Sequence, residues 1–107
     1  MIEKWEIWNV RYAYDDNPNE TKIRPVLVID AKKKIVVALK ITSHEPRSQF
    51  GGEYQISKWK EAGLDKPSVI RCSKRATFEE SDFILKRGKL QSGDIIAIQA
   101  LLNFYYH

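Results

Sequence analysis

Two short segments of this sequence carry residue types that could bind and cleave a phosphodiester. Arg24 opens one apolar segment, and Thr42, Ser43 and His44 directly follow another. Arginine presents a planar fork of donors to phosphate, and hydroxyls add neutral donors. An imidazole can exchange a proton near neutral pH. Polar residues also commonly end the strands of small β-domains, so residue chemistry alone leaves both interpretations open.

The size and composition of the chain predict one domain spanning residues 1–107. With 43% hydrophobic residues the chain can bury one compact core. Cys72 is the single cysteine, which excludes an intrachain disulfide and a cysteine-rich metal site. No apolar run approaches the roughly 20 residues that cross a bilayer, and no signal-peptide pattern follows Met1. We therefore expect a cytoplasmic protein that does not bind membranes.

The basic residues are unevenly distributed along the chain. The net charge is +4, yet residues 1–20 are acidic, so the cations are concentrated later. They are Lys32, Lys33, Lys34, Lys40, Lys58, Lys60, Arg71, Lys74, Arg75, Lys86, Arg87 and Lys89. Such an excess favours a polyanionic partner or an acidic protein. Lysine-rich segments are also often solvated surface, which is the simpler interpretation of 32–34 as a turn.

The hydrophobic pattern predicts a mainly β fold. Strands are predicted over 6–10, 23–30, 35–41, 53–57 and 68–78. Because Pro25 lacks a ladder donor, its strand should begin there or run along an edge. Loops are predicted over 13–22 and 43–52, where turn-forming residues cluster.

The remaining segments predict a helical turn and one helix. The segment 59–64 resembles a single helical turn that Gly63 closes in the left-handed conformation. Near the C-terminus, Ile95, Ile98, Leu102 and Tyr105 recur at helical spacing. Ser92 is the predicted N-cap, and Asp94 would favour the positive end of the helix dipole. The expected architecture is a small curled β-barrel with a C-terminal helix.

An ordered set of motifs resembles the MazF/PemK/Kid family of toxin ribonucleases. It consists of Glu6-Ile7-Trp8-Asn9-Val10, Arg24-Pro25-Val26-Leu27-Val28, Ile41-Thr42-Ser43, Ala62-Gly63-Leu64, Ser68-Val69-Ile70-Arg71 and Gly88-Lys89-Leu90. Each motif is common alone, whereas their order along nearly the whole chain is specific.

The resemblance implies an SH3-like β-barrel that forms a homodimer and cuts single-stranded RNA, such as messenger RNA, without a metal or other cofactor. The ribose 2′-hydroxyl would attack the adjacent phosphate, leaving a 2′,3′-cyclic phosphate and a 5′-hydroxyl. A cognate antitoxin would neutralise the toxin. The RNA groove is expected between the loops 13–22 and 43–52. The cleavage motif and the identity of the antitoxin do not follow from the sequence.

Arg24 and Thr42 match catalytic positions of the family. Arg24 would hold the scissile phosphate and stabilise charge in the transition state; alternatively it forms a surface ion pair with Glu20 or Asp30. Thr42 would donate to a phosphoryl oxygen or orient the 2′-hydroxyl, with Ser43 beside it as a substrate-binding residue. The alternative for Thr42 is a β-branched residue that simply ends a strand.

The acid–base set of the Kid branch is incomplete in this chain. Arg71 matches a second arginine of that branch and is assigned to RNA binding. The acidic residue that follows in the family is replaced by Ser73, which cannot take up a proton near neutral pH but could contact substrate. No histidine occurs in 13–22. His44 is therefore our candidate for the general base, although a loop histidine can be merely solvated.

The aromatic residues and the cysteine have simpler interpretations. Trp5 and Trp8 are expected in the core, whereas Trp59, between two lysines, is the candidate for stacking on an RNA base. Cys72 is expected to be a small core residue. The alternative functions are a non-catalytic barrel that binds RNA or a protein tail, and a partner that acts mainly by binding an antitoxin on DNA.

Overall fold

One antiparallel sheet and one helix make up the described structure. The computed structural model describes residues 1–13, 19–43 and 51–106. The elements are β1 (Glu6–Ala13), β2 (Thr21–Ala31), β3 (Ile35–Thr42), β4 (Glu53–Gln55), β5 (Val69–Glu79), a 3-10 turn (Glu80–Asp82), β6 (Phe83–Lys89) and α1 (Ser92–Tyr105). The strand order is β4-β5-β3-β2-β1-β6. The predicted mainly β class with a C-terminal helix is confirmed.

The sheet bends at register shifts but is not closed by strand pairing. Shifts occur between Val28 and Asp30 in the β2–β3 ladder and between Leu39 and Ile41 in the β3–β5 ladder. Such bulges bend a strand and increase its twist. Within the described residues the edge strands β4 and β6 do not pair with each other. With only three residues, β4 offers little backbone for such a ladder.

The boundary of β2 differs from the prediction at Pro25. The strand begins at Thr21, and Pro25 lies inside it, opposite Asn9 of β1. The described ladder between β2 and β3 starts only at Val26, which pairs with Lys40. Pro25 therefore pairs with β1 and lies just beyond the last described pair of the β2–β3 ladder. This position at the end of a ladder accommodates a residue without a backbone donor.

Strand β6 was missed by the sequence pattern. It is the segment Phe83–Lys89, and all of its residues are half-buried or exposed. A strand without a buried face shows no alternation of apolar and polar residues, so the two-residue period is absent. It pairs with β1 through two register shifts, which further obscure any regular pattern.

The core forms where α1 covers the curved sheet. The largest buried cluster includes Ile7, Leu27 and Leu39 from the strands together with Ile98 and Leu102 from α1. The predicted apolar face of the helix is thus confirmed at its two central positions.

The residues expected in the core behave as predicted. Cys72 is fully buried, and burial raises the pKa of its thiol to about 12, so it stays protonated. Trp5 and Trp8 are half-buried and pack on the two hydrophobic clusters. Both therefore serve packing, as expected.

The predicted turn at 59–64 is present and is closed by a complete Schellman motif. The Gly63 amide donates to the Lys60 carbonyl at 3.1 Å, and the Leu64 amide donates to the Trp59 carbonyl at 3.0 Å. Gly63 has a φ of 97°, the left-handed conformation that the sequence predicted. A Cβ on Gly63 would lie 2.1 Å from the Arg87 carbonyl oxygen. The turn therefore packs backbone to backbone against β6.

Asp94 joins the N-terminus of α1 to the segment after β4. The observed N-cap is Gln91, so the prediction of Ser92 is displaced by one residue. The Asp94 carboxylate, 2% exposed, accepts hydrogen bonds from the Tyr54 hydroxyl and from the amides of Ser57 and Lys58. Burial alone would raise the pKa of Asp94, but these hydrogen bonds lower it. Its role is an anchor for the turn as well as a favourable dipole interaction.

Candidate functional site

A cationic cleft of about 460 Å³ opens between the first half of β2 and the end of β3. The described residues that line it are Arg24, Pro25, Ile41, Thr42, Ser43, Leu64, Asp65, Lys66, Ser68 and Arg87. Three cations and one carboxylate face this cleft, so it favours an anionic ligand. Its lining residues come from β2, the end of β3, the segment 64–68 and β6.

The antiparallel ladder between β2 and β3 explains why Arg24 and Thr42 line the same cleft. Val26 pairs with Lys40. Because the two strands are antiparallel, Arg24, two residues before Val26, and Thr42, two residues after Lys40, lie toward the same end of the pair. Ser43 follows directly and also lines the cleft. His44 comes next in the sequence and lies outside the described residues, as do most of the two predicted loops.

The Arg24 guanidinium is exposed and available to a ligand. Within the described part of the chain no carboxylate forms an ion pair with Arg24. Asp30, one of the two alternative partners considered from the sequence, instead lies 3.7 Å from the Lys32 ammonium. A solvent-facing arginine at the mouth of a cleft can form bidentate hydrogen bonds with phosphate.

The Thr42 hydroxyl is buried and, among the described residues, has no hydrogen-bond partner. Leaving a buried hydroxyl unsatisfied costs about 1–3 kcal/mol, so such groups call for a structural or functional explanation. A strand terminus that needed only a β-branched side chain would be served by valine. A ligand oxygen in the cleft is one partner that would satisfy this hydroxyl.

Thr42→Val is expected to separate function from stability. Valine keeps the shape and removes the unsatisfied oxygen, so stability should stay equal or rise by about 1 kcal/mol. If Thr42 donates to a phosphoryl oxygen of RNA, as the family resemblance implies, cleavage should fall by about 100-fold, because one donor to developing charge is lost. Urea unfolding and initial cleavage rates measure the two effects. Thr77→Val, on β5 opposite Val37, is the matched control and should cleave normally. Unchanged cleavage by Thr42→Val would leave only the packing interpretation.

Arg87 and Asp65 are cleft residues to which sequence reasoning gave no role. The Arg87 guanidinium lies 2.8 Å from an Asp65 carboxylate oxygen and donates to the Asn9 side-chain oxygen at 3.5 Å. The only sequence signal was their position beside Gly88 and Gly63, which belong to the motifs of the family resemblance. The contact between these glycines brings the two charged residues together.

Three other residues predicted to bind substrate do not line this cleft. The Arg71 Nε atom lies 3.7 Å from the Glu53 carboxylate across the β4–β5 ladder. The Ser73 hydroxyl donates to the Gly51 carbonyl at 3.0 Å. Trp59 is half-buried against the main core. Each of the three has a structural contact of its own, and their roles toward RNA stay predictions.

Neither a metal-binding cluster nor a membrane-spanning helix is found in residues 1–13, 19–43 and 51–106. They contain no cluster of three or more histidine, cysteine, aspartate or glutamate residues suited to a metal ion. None of their helices is long and apolar enough to cross a membrane.

Two solved structures of mycobacterial proteins share this fold. The Mycobacterium tuberculosis toxin MazF-mt6 superposes with a TM-score of 0.67 at 22% identity, covering 92% of this chain and 95% of that one. A mycobacterial endoribonuclease in complex with its cognate antitoxin gives a TM-score of 0.73 at 12% identity, covering 98% and 94%. Among curated proteins, none matches the sequence.

The sequence itself assigns the family. The family of PemK-like, MazF-like toxins of type II toxin–antitoxin systems matches residues 3–105. The chain therefore belongs to this family, and the resemblance inferred from the ordered motifs is confirmed.

Proposed function

We propose that this toxin is a sequence-selective endoribonuclease that cleaves single-stranded RNA, such as messenger RNA, in the cytoplasm. The observation that carries the proposal is the convergence of Arg24, Thr42 and Ser43 in one cationic cleft. These groups supply a phosphate-binding fork and two hydroxyls, and the family to which the chain belongs consists of toxins.

The proposed reaction is an internal phosphoryl transfer within RNA. The 2′-hydroxyl loses its proton and its oxygen bonds to the adjacent phosphorus, while the bond from phosphorus to the 5′-oxygen breaks. The products are a 2′,3′-cyclic phosphate and a 5′-hydroxyl, whose proton comes from solvent or a protein acid. Arg24 stabilises the charge that accumulates on the non-bridging oxygens. Thr42 donates a neutral hydrogen bond to the same phosphoryl group.

We propose His44 as the base that accepts the 2′-hydroxyl proton. It follows Ser43, and among the described residues that line the cleft the one carboxylate, Asp65, is paired with Arg87. A histidine base predicts a rate that rises with pH through the imidazole pKa and then levels off. His44→Ala should lower cleavage by about 10²–10⁴-fold and abolish that rise. Wild-type rates in the variant from pH 6 to pH 8 would exclude this role.

The test of the proposed function is incubation of the purified protein with a long single-stranded RNA in EDTA. We expect discrete cuts, and mapping of the ends should find cyclic phosphates and 5′-hydroxyls. Intact RNA over a wide range of protein concentration would contradict the nuclease. Salt-sensitive binding without cleavage would instead support the alternative, a barrel that binds RNA or an antitoxin tail without cutting.

We further propose that the toxin forms a homodimer and is neutralised by a cognate antitoxin. Ile96 and Phe104 of α1 are 72% and 74% exposed, so two large apolar side chains of one helix face solvent. A homodimer would cover part of this surface, because closed two-fold dimers are the commonest oligomers. Light scattering that gives the mass of a single chain at micromolar concentration would contradict the dimer.

A further inference from the structure

The ion pair between Arg87 and Asp65 lies inside the proposed RNA cleft and is strongly asymmetric. The two side chains are 2.8 Å apart at their nearest atoms, yet Arg87 is 20% exposed whereas Asp65 is 86% exposed. Both line the cleft that contains Arg24 and Thr42. The Arg87 side chain is therefore largely buried in the wall of the cleft, whereas the Asp65 carboxylate contacts it from the solvent side.

Arg87 is held in place independently of Asp65. Its backbone packs against the Schellman turn, where a Cβ on Gly63 would lie 2.1 Å from the Arg87 carbonyl oxygen. Its guanidinium also donates to the Asn9 side chain at 3.5 Å. Removing the carboxylate would thus leave an arginine that still faces the cleft. Asp65, by contrast, follows the turn and has little around its side chain.

We propose that Asp65 occupies the position of an RNA phosphate on Arg87 and is displaced when RNA binds. Arg87 is then a second phosphate-binding residue, and Asp65 is an exchangeable competitor within the same chain. This inference rests on the proposed RNA substrate. It adds that Asp65 lowers the affinity of the cleft for RNA. Its chemistry is an exchange of one anion for another on a fixed guanidinium, with no bond made or broken.

The energetics favour the exchange. Because Asp65 is 86% exposed, water screens its attraction to Arg87, and such a pair shifts an equilibrium by about fivefold at most, so its loss costs little. A phosphodiester can bind the guanidinium in a bidentate manner. The RNA chain also brings neighbouring phosphates to Arg24 and Lys66 in the same cleft, so displacement of Asp65 is offset by several contacts.

The test compares Asp65→Asn with wild type in binding a single-stranded 2′-O-methyl oligonucleotide of mixed sequence, which this reaction cannot cleave. Fluorescence anisotropy at low ionic strength should show about fivefold tighter binding by the variant. Glu61→Gln is the matched control. It removes the same charge from a carboxylate that pairs with Lys58 at 3.8 Å on the adjacent turn, outside the cleft. This control should bind as wild type does.

The outcomes separate the inference from the proposed function. Equal effects of Asp65→Asn and Glu61→Gln, weaker binding by Asp65→Asn, or no binding by any of the proteins would overturn the inference. Asp65→Asn should also lose its effect in an Arg87→Gln background, and an undiminished effect there would overturn the competition. Tighter binding without RNA cleavage by any form would support the exchange and reject the nuclease. RNA cleavage together with unchanged binding by Asp65→Asn would support the nuclease and reject the exchange.

Discussion

Replacement of Arg24 by alanine is expected to reduce RNA cleavage by about 10²–10³-fold, the usual effect of removing a group that stabilises developing charge. The folded protein should lose little stability, because Arg24 is exposed and forms no ion pair within the described residues. Single-turnover cleavage of a defined single-stranded RNA in EDTA measures the first effect, and thermal unfolding measures the second.

Two control variants decide what the loss at Arg24 means. Lys33→Ala removes the same charge from the exposed turn between β2 and β3, away from the cleft, and should keep nearly full activity. Arg24→Lys keeps the charge but loses the planar fork, so it should recover only part of the rate. Equal losses in Arg24→Ala and Lys33→Ala would reduce the role of Arg24 to long-range attraction. Full activity of Arg24→Ala would contradict its place in the reaction.

The part of the site that the sequence predicted is the part that one strand ladder assembles. Arg24 and Thr42 lie on neighbouring strands joined by a short turn, so their approach follows from local pairing. Arg87 and Asp65 meet because two segments about 25 residues apart in the chain pack backbone to backbone. A backbone contact of this kind leaves no periodic pattern of apolar residues in the sequence. From the sequence, Arg87 was therefore recognisable only as one of the cations, and Asp65 had no predicted role.

The fold was predictable wherever a buried face leaves a period. All five predicted strands were located within a few residues; β1, β2, β3 and β5 carry buried apolar side chains, whereas the short β4 has none. β6 has no buried residue and was missed. Asp94 shows a related limit: its helix-terminal position predicted a dipole interaction, while its contacts with the segment after β4 depend on tertiary packing.

Gly63→Ala is expected to destabilise the protein by about 3–5 kcal/mol, a large part of the 5–15 kcal/mol typical of a domain. The left-handed conformation at a φ of 97° itself costs an alanine about 1–2 kcal/mol. The added Cβ would also stand 2.1 Å from the Arg87 carbonyl oxygen, so the turn and β6 must separate. Urea unfolding measures the loss. Because this separation also moves Arg87 and Asp65, the folded fraction should bind RNA less tightly.

The same substitution elsewhere in the chain isolates the backbone contact as the cause. Gly88→Ala should be similarly destabilising, since its Cβ would lie 2.2 Å from the Ala62 carbonyl oxygen. Gly93 lies in the first turn of α1, and a Cβ there meets nothing within 4 Å. Gly93→Ala should therefore stabilise the protein by up to about 1 kcal/mol through helix propensity. A loss below about 1 kcal/mol in Gly63→Ala would show that the turn and β6 can part freely. The backbone contact would then not fix the position of Arg87. The proposed exchange of Asp65 for phosphate depends on that fixed position.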